Sequence, residues 1–450
     1  MADYQWFQSL STNVRKLDGK RPYSATSRSL SRRGAAVLFS SQRLRRSAIL
    51  GAWPHSLQKG NPMKRIAVTV VALGLSLAPV LGRAAEPTAD QARAIAEIEK
   101  LGGKVTFDEK IAFDPFSPGK AVVSVHPVIS VDLAGSKVTD AGLRHLKGLN
   151  GLQLLDLRET KVTDAGLANL KGLTSLSNLF LSSTKVTDAG LIHLEALTTL
   201  QRLDLSRTEV TGAGLIHLEG LTQLNGLGLS GTKVTDAGLA HLRGLTKLQS
   251  LELVGTRVTD AGLEHLKGLT QLQWLRLRLT GVTDAGLGRL KGLTKLQLLD
   301  LWGTKVTDAG LEHLKGLAQL QSLELVHTKI TGAGLEHLKG LNNLQLLNLD
   351  STRVGDAGLE HLKGLTKLQS LSLAHTEVTG AGLEHLKGLT KLRELDLFGT
   401  RVTDTGLERL KGLPRLRSLN LGATEVTGAG MAGLQDALPR CNIRHWVPPR

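Results

Sequence analysis

Only one cysteine, Cys441, occurs in 450 residues, which excludes an intramolecular disulfide framework and a zinc site built from cysteines. Aromatic residues make up 3% of the chain, so the core must be aliphatic, and mostly leucine. No glycine-rich phosphate loop follows a strand pattern, and no Ser or Cys stands in a recognisable nucleophile elbow. Catalysis therefore has no visible carrier, no residue set asks for a cofactor, and the chain reads as a non-enzyme. Acidic residues are scarce at one end only. The net charge is +16, but residues 1–84 hold 14 Lys/Arg against 2 Asp/Glu (+12), leaving 42 against 38 (+4) for residues 85–450. The larger part is nearly balanced, so the basic pI is no argument for nucleic acid as a partner.

What is present is a period. Leu248 to Leu272, LQSLELVGTRVTDAGLEHLKGLTQL, is one turn of a 24-residue unit that recurs thirteen times from Val128 onward without insertion or deletion. Stepping by 24 from Thr256 reaches Thr at every copy from Thr160 to Thr424, with Ser136 in the first. A fixed period of this length makes a solenoid in which each copy supplies a strand and a helix and buries its apolar face against its neighbours. Within the unit Leu248, Leu251 and Leu253 point inward while Ser250 and Glu252 point outward, which is strand alternation. The Thr256 hydroxyl should turn inward and bond the backbone of the turn. Thr259 or Asp260 should cap the following helix, Gly262 should let that helix approach its neighbour, and Gly268 should end it. Four copies carry Gly in place of that Asp, at Gly212, Gly332, Gly380 and Gly428, which favours Thr as the cap.

The flanks divide the chain further. Residues 1–62 are rich in Ser and Arg with no apolar period, and read as disordered. Met63-Lys64-Arg65, the apolar run Ile66 to Leu81 and Gly82-Arg83-Ala84 have the n-region, h-region and small-residue exit of a signal peptide over residues 63–84. The run is short for a retained bilayer anchor and is broken by Pro79, so no stable membrane span is expected after cleavage. A signal peptide should begin its chain, so Met63 is expected to be the natural start and residues 1–62 an extension of the reading frame. Residues 85–127 should form an N-terminal cap. It comprises a helix from a Thr88/Gln91 capping box to Gly102-Gly103, then short strands at Lys104 to Phe107 and Ala121 to Val125. Repeats fill 128–437, and 438–450 supply a last strand, with Ile443 in register with Leu419, and a tail.

The repeats, LxxLxLxxTxVTDAGLxxLKGL, resemble the leucine-rich repeats of exported and membrane-associated proteins of planctomycete-type bacteria. More distantly they resemble the repeats of F-box substrate receptors, within the ribonuclease-inhibitor-like superfamily. The cap segment Ala94 to Phe107, AIAEIEKLGGKVTF, is similar to what precedes the array in the bacterial group. The resemblance implies an α/β leucine-rich-repeat solenoid, a curved horseshoe with parallel strands on its concave face and helices on its convex face. It also implies a binding or scaffolding role. For the F-box relatives it implies recruitment of substrates for ubiquitin ligation, but no F-box precedes this array.

The residues that repeat most faithfully are framework. His145, His193, His217, His241, His265, His313, His337, His361 and His385 share one helix position. Successive helices lie about 8–10 Å apart, too far to share a zinc that needs nitrogens at about 2.0–2.1 Å. The lysines that follow are interleaved with Glu264, Glu312, Glu336, Glu360, Glu384 and Glu408, which makes local helix pairs rather than a phosphate-binding stripe. Information should lie where copies differ, at the outward strand positions. The central one runs Asp132, Asp156, Phe180, Asp204, Gly228, Glu252, Arg276, Asp300, Glu324, Asn348, Ser372, Asp396, Asn420, an acidic row in which Asp300 beside Glu324 needs a partner or cation. Trp274, Leu279, Leu298, Trp302 and Val326, with Arg276, Arg278 and Asp300, should form one exposed patch of the kind that binds partners. A second cluster is Phe398 with Glu394 and Asp396. The expected function is an exported module, extracytoplasmic in the periplasm, envelope or medium, recognising a protein or glycan through its concave face. The alternatives are a structural envelope scaffold and an F-box-like substrate receptor.

Overall fold

The computed structural model describes residues 89–107, 111–113, 121–123 and 127–445. The expectations for residues 1–84, for Thr88, for Ser124 and Val125 and for the tail beyond His445 fall outside them. All described residues lie in the second of two compact units, Val80–Arg450.

Alternating leucines make the array. Fifteen strands form one sheet, in which the thirteen repeat strands from Val128–Asp132 to Ser418–Asn420 run parallel and in chain order. We number the copies 1 to 13 by these strands. Each pairs with the next in the register set by the period, so that Leu251 meets Leu275 and Leu275 meets Leu299. Lys104–Phe107 closes the N-terminal edge antiparallel to Val128–Asp132, and Asn442–Arg444 extends the far edge with Ile443 opposite Leu419. The cap helix spans Ala89–Lys100, and Ile111–Phe113 with Ala121–Val123 forms a separate antiparallel pair. In copy 6, Leu248, Leu251, Leu253, Val258, Leu263, Leu266 and Leu269 are all 0% exposed, each contributing about 1.5–3 kcal/mol of burial. Leucine stacked on leucine along the array, with one Val or Ile after the turn of each copy, makes the core. The fold is the curved, mostly parallel α/β solenoid that the spacing implies.

Thr256 Oγ1 donates to the Leu253 carbonyl at 2.7 Å, and the same bond recurs from Thr160 to Thr424. The helices are shorter than the pattern suggests. Asp260–Leu263 is a single α turn continued by a 3-10 turn over Glu264–Leu266. Eclipsed, tighter turns of this kind suit a segment that must cross the repeat in a few residues.

The Asp at the start of each α turn does not cap its own helix. It reaches into the next copy, where Asp260 Oδ1 accepts from the Thr283 N–H and Oδ2 from the Thr283 hydroxyl, at 2.7 and 2.6 Å. The next copy makes room for the carboxylate with the Gly of its Asp-Ala-Gly-Leu turn, since a Cβ on Gly286 would stand inside contact distance of Asp260 Oδ1. The same clamp joins Asp140 to Thr163, Asp164 to Thr187, Asp188 to Thr211, Asp236 to Thr259, Asp284 to Thr307, Asp308 to Thr331, Asp356 to Thr379 and Asp404 to Thr427. Where Asp is Gly the clamp is missing, and Gly212, Gly332 and Gly380 instead lie against the backbone of Gly238, Gly358 and Gly406. This corrects the Asp alternative of the capping expectation. The Thr alternative holds in these copies, where Thr211, Thr331 and Thr379 accept from the N–H two residues on at 3.2, 3.3 and 3.2 Å. In those copies no α turn forms, only the 3-10 segments Ala213–Leu218, Ala333–Leu338 and Gly382–Leu386. Several Thr residues, Thr259 among them, make no side-chain cap bond. Hydrogen bonds to a charged acceptor are worth about 1.5–3 kcal/mol when sheltered and less in water, so Asp260→Ala should cost about 2 kcal/mol in denaturant unfolding. The Thr283 amide should also lose protection from hydrogen exchange.

Candidate functional site

The turn after each strand fixes the candidate site. The residue just before the Thr has positive φ in every copy, supplied by Gly at Gly135, Gly231, Gly255, Gly303 and Gly399 and by other residues elsewhere. Leu279 is one of these, at φ 56°, and it is 54% exposed. Its side chain extends over Gly303, where a Cβ would stand 2.7 Å from Leu279 Cδ2. Trp274 and Arg276 lie on one strand, in register with Leu298 and Asp300 on the next, and Asp300 is in register with Glu324. The Arg278 guanidinium carbon sits 3.1 Å from the centroid of the Trp302 ring, a cation–π stack, and the His327 ring centroid lies 6.2 Å from that of Trp302. The structure thus brings together Trp274, Arg276, Arg278, Leu279, Leu298, Asp300 and Trp302 in copies 7 and 8. Val326 does not join them as an exposed member, since it is 5% exposed and packed away.

The acidic row has a local task that its spacing did not reveal. Asp132, Asp156, Asp204, Asp300 and Asp396 each accept from the backbone N–H two residues on, as Asn348 and Asn420 do, which fastens the end of the strand to its turn. Glutamates are too long for that bond. Burial pushes Glu252 and Glu324 up to about 7, with Asp300 opposing ionisation of both and Arg276 favouring it. The Asp300 and Glu324 pair is thus relieved by holding a proton. A carboxyl whose native pKa lies above its unfolded value stabilises the fold below about pH 4.5, and that contribution is lost as pH rises through about 7. The urea midpoint of the wild type should therefore fall across this window more than that of Glu252→Gln, measured by parallel titrations.

The residues of the second cluster lie on the strand Glu394–Asp396 and the turn after it, and each contacts a neighbouring copy. Phe398 lies edge-on to His375 at 5.1 Å and covers Gly422, while Asn420 donates to Asp396 at 3.1 Å and Ser370 to Glu394 at 3.1 Å. The conspicuous helix series behaves as framework. The nine histidines are half-buried, with His217 and His241 on Glu195 and Glu219 of the preceding copies at 2.6 and 2.7 Å. Lys267, Lys363 and Lys411 pair with Glu264, Glu360 and Glu408 three residues back. Among the described residues no group of three or more His, Cys, Asp or Glu is placed to hold a metal.

The repeats match models of the leucine-rich repeat at residues 294–354 and 342–402, and a second such model at residues 196–218 and 244–267. Those segments of the array are leucine-rich repeats by sequence. An internalin (inlF) of Listeria monocytogenes shares 27% identity with it over 74% of this chain and 95% of its own, with a TM-score of 0.54. A leucine-rich-repeat protein of Leptospira interrogans shares 19% over 68% of this chain and 94% of its own, with a TM-score of 0.45. The plant peptide hormone receptor RGFR1, solved in complex with RGF2, shares 14% over 71% of this chain and 62% of its own, with a TM-score of 0.42. No curated protein matches the chain.

Proposed function

We propose that this leucine-rich-repeat chain is an exported binding module without catalysis, recognising a protein or glycan partner through the concave patch around Trp274 and Trp302. The observation that carries the reading is Leu279. A leucine in the left-handed region costs roughly 1–2 kcal/mol, and here it leaves half its surface in water while Gly serves at the equivalent position of both neighbouring copies, Gly255 and Gly303. Its side chain covers the Gly303 turn and leaves the rest of its apolar surface open to a partner contact. The setting supports the same reading, because the patch lies inside the longest unbroken run of clamps, from Asp236 to Thr331. A platform held this firmly loses little ordering entropy on association. Export is inferred from the pattern of residues 63–84, and among the described residues no helix is long and apolar enough to cross a membrane. Leu279→Gly should raise stability by about 1 kcal/mol and weaken capture of a partner from the extracytoplasmic fraction about tenfold. Undiminished capture by that variant would remove the patch from the proposal.

A further inference from the structure

The convex face carries a departure from the repeat that the concave patch does not use. Among the described residues four large apolar side chains are exposed, and two of them, Ile192 at 48% and Ile216 at 51%, share one position in adjacent copies 3 and 4. Every other copy has Arg, Ala, Gly or Glu there. Three residues on, where nine copies have Lys and copy 5 has Arg243, the same two copies have Glu195 and Glu219. Ile192 opens the 3-10 turn Ile192–Leu194 and Ile216 lies in Ala213–Leu218. Side chains three apart eclipse in such a turn, so each isoleucine shares a face with its glutamate. In copies 6, 10 and 12 the same two positions close an ion pair within the copy, Glu264 with Lys267, Glu360 with Lys363 and Glu408 with Lys411. Copies 3 and 4 exchange that self-contained pair for an apolar side chain and a carboxyl. The next copy holds the exchange in place. A Cβ on Gly288, at the isoleucine position of copy 7, would stand 3.5 Å from the His313 ring, so by the period Ile192 and Ile216 lie beside His217 and His241. Those rings bind Oε1 of Glu195 and Glu219 at 2.6 and 2.7 Å, while the glutamate side chains stay 54% and 56% exposed.

We propose that this ridge docks a basic amphipathic helix of a partner protein, which seats two apolar side chains on Ile192 and Ile216 and pairs its Lys or Arg with Glu195 and Glu219. The spacing fits such a helix. Successive turns of the array lie about 8–10 Å apart, and residues seven apart on one face of an α-helix are about 10.5 Å apart. The charge selects its sign. Residues 187–199 and 211–223 contain no Lys or Arg, so the two glutamates give the ridge a local negative field that a cationic helix completes. Lys171 and Arg243 bracket the glutamates in copies 2 and 5 and repel a cation placed beyond them, which confines the site to two copies. A second copy of this chain fits less well. Meeting about a two-fold axis, it would gather four glutamates around four isoleucines and bring no cation between them. An anionic lipid surface is repelled by the same carboxyls.

The test is fluorescence anisotropy of the full chain with a labelled Leu/Lys helical peptide of about 18 residues, its leucines at heptad spacing, beside its Glu-for-Lys and Ala-for-Leu versions. The Leu/Lys peptide should bind saturably and the other two at least about tenfold more weakly. Ile192→Glu/Ile216→Glu and Glu195→Lys/Glu219→Lys should each weaken it about tenfold. Both variants keep the fold, because Glu stands at the first position in six other copies and Lys at the second in nine. Trp274→Ala/Trp302→Ala should bind the peptide as the wild type does, so the ridge and the concave patch stand or fall separately. Absence of binding, equal binding by either ridge variant or of either control peptide, or loss in the tryptophan variant would overturn the assignment. Dimerisation of the wild type in sedimentation, abolished by Ile192→Glu/Ile216→Glu, would give the ridge to a second copy and overturn it as well.

Discussion

Gly286→Ala is expected to lower stability by about 3 kcal/mol, while Gly292→Ala, later in the same copy, should change it by only a few tenths. The added methyl on Gly286 would fall inside contact distance of Asp260 Oδ1 and 3.1 Å from both Leu263 Cδ1 and Val282 Cγ1, whereas nothing lies within 4 Å of a Cβ on Gly292. Relief at Gly286 can come only by pushing the Asp260 carboxylate off Thr283 or by parting two copies. Either route leaves the Thr283 N–H and hydroxyl without their acceptor and opens a leucine-lined seam. Urea unfolding followed by circular dichroism gives the midpoints, and hydrogen exchange at Thr283 shows whether the loss is local to this seam. Equal midpoints for the two variants would mean that the clamp and its glycine seat are ornament rather than structure. The array also contains its own comparison. The seams after Gly212, Gly332 and Gly380 lack the clamp, and they divide the copies into blocks, of which copies 5 to 9 form the longest.

The architecture was legible because a fixed period forces a single solution. With Leu251 inward in one copy, the same residue in every copy must be inward, and the parallel register of Leu251, Leu275 and Leu299 follows. What the period hid was contact between copies. Asp260 sits at the start of a helical turn, where any local reading makes it a cap, and only the stacking shows that its partner is Thr283, one copy on. A signal was present in the sequence all the same. Gly332, which lacks the carboxylate, is followed in the next copy by Gly355, which lacks the Thr that would receive it.

For the site, the positions of Trp274, Trp302 and the two arginines were legible from alternation, because outward residues of adjacent strands must be neighbours. The Arg278 stack on Trp302 and the burial of Val326 were not, since they depend on which way the side chains lean. The left-handed turn was missed as well, although Gly at five of its copies hinted at it. It is this turn that makes Leu279 informative, and sequence spacing alone gives Leu279 no more weight than Leu298. The acidic row was read as a field, and most of its aspartates proved to be fastening the strand ends.

The central claim is that the departures from the repeat around Trp274 and Trp302 are what a partner touches. Each aromatic anchor at an interface centre is worth about 2–4 kcal/mol, so removing both should weaken binding at least about 100-fold. The fold should survive, because Ser250 and Ser322 stand where Trp274 does and Ser206 and Ser230 where Trp302 does. The most direct measurement is affinity capture from the extracytoplasmic fraction on the immobilised wild type, the Trp274→Ala/Trp302→Ala variant and a convex-face control, His337→Ala/His361→Ala. The account predicts a partner retained by the wild type and the control and lost from the tryptophan variant. A partner held equally by all three would place recognition elsewhere on the solenoid and contradict the account.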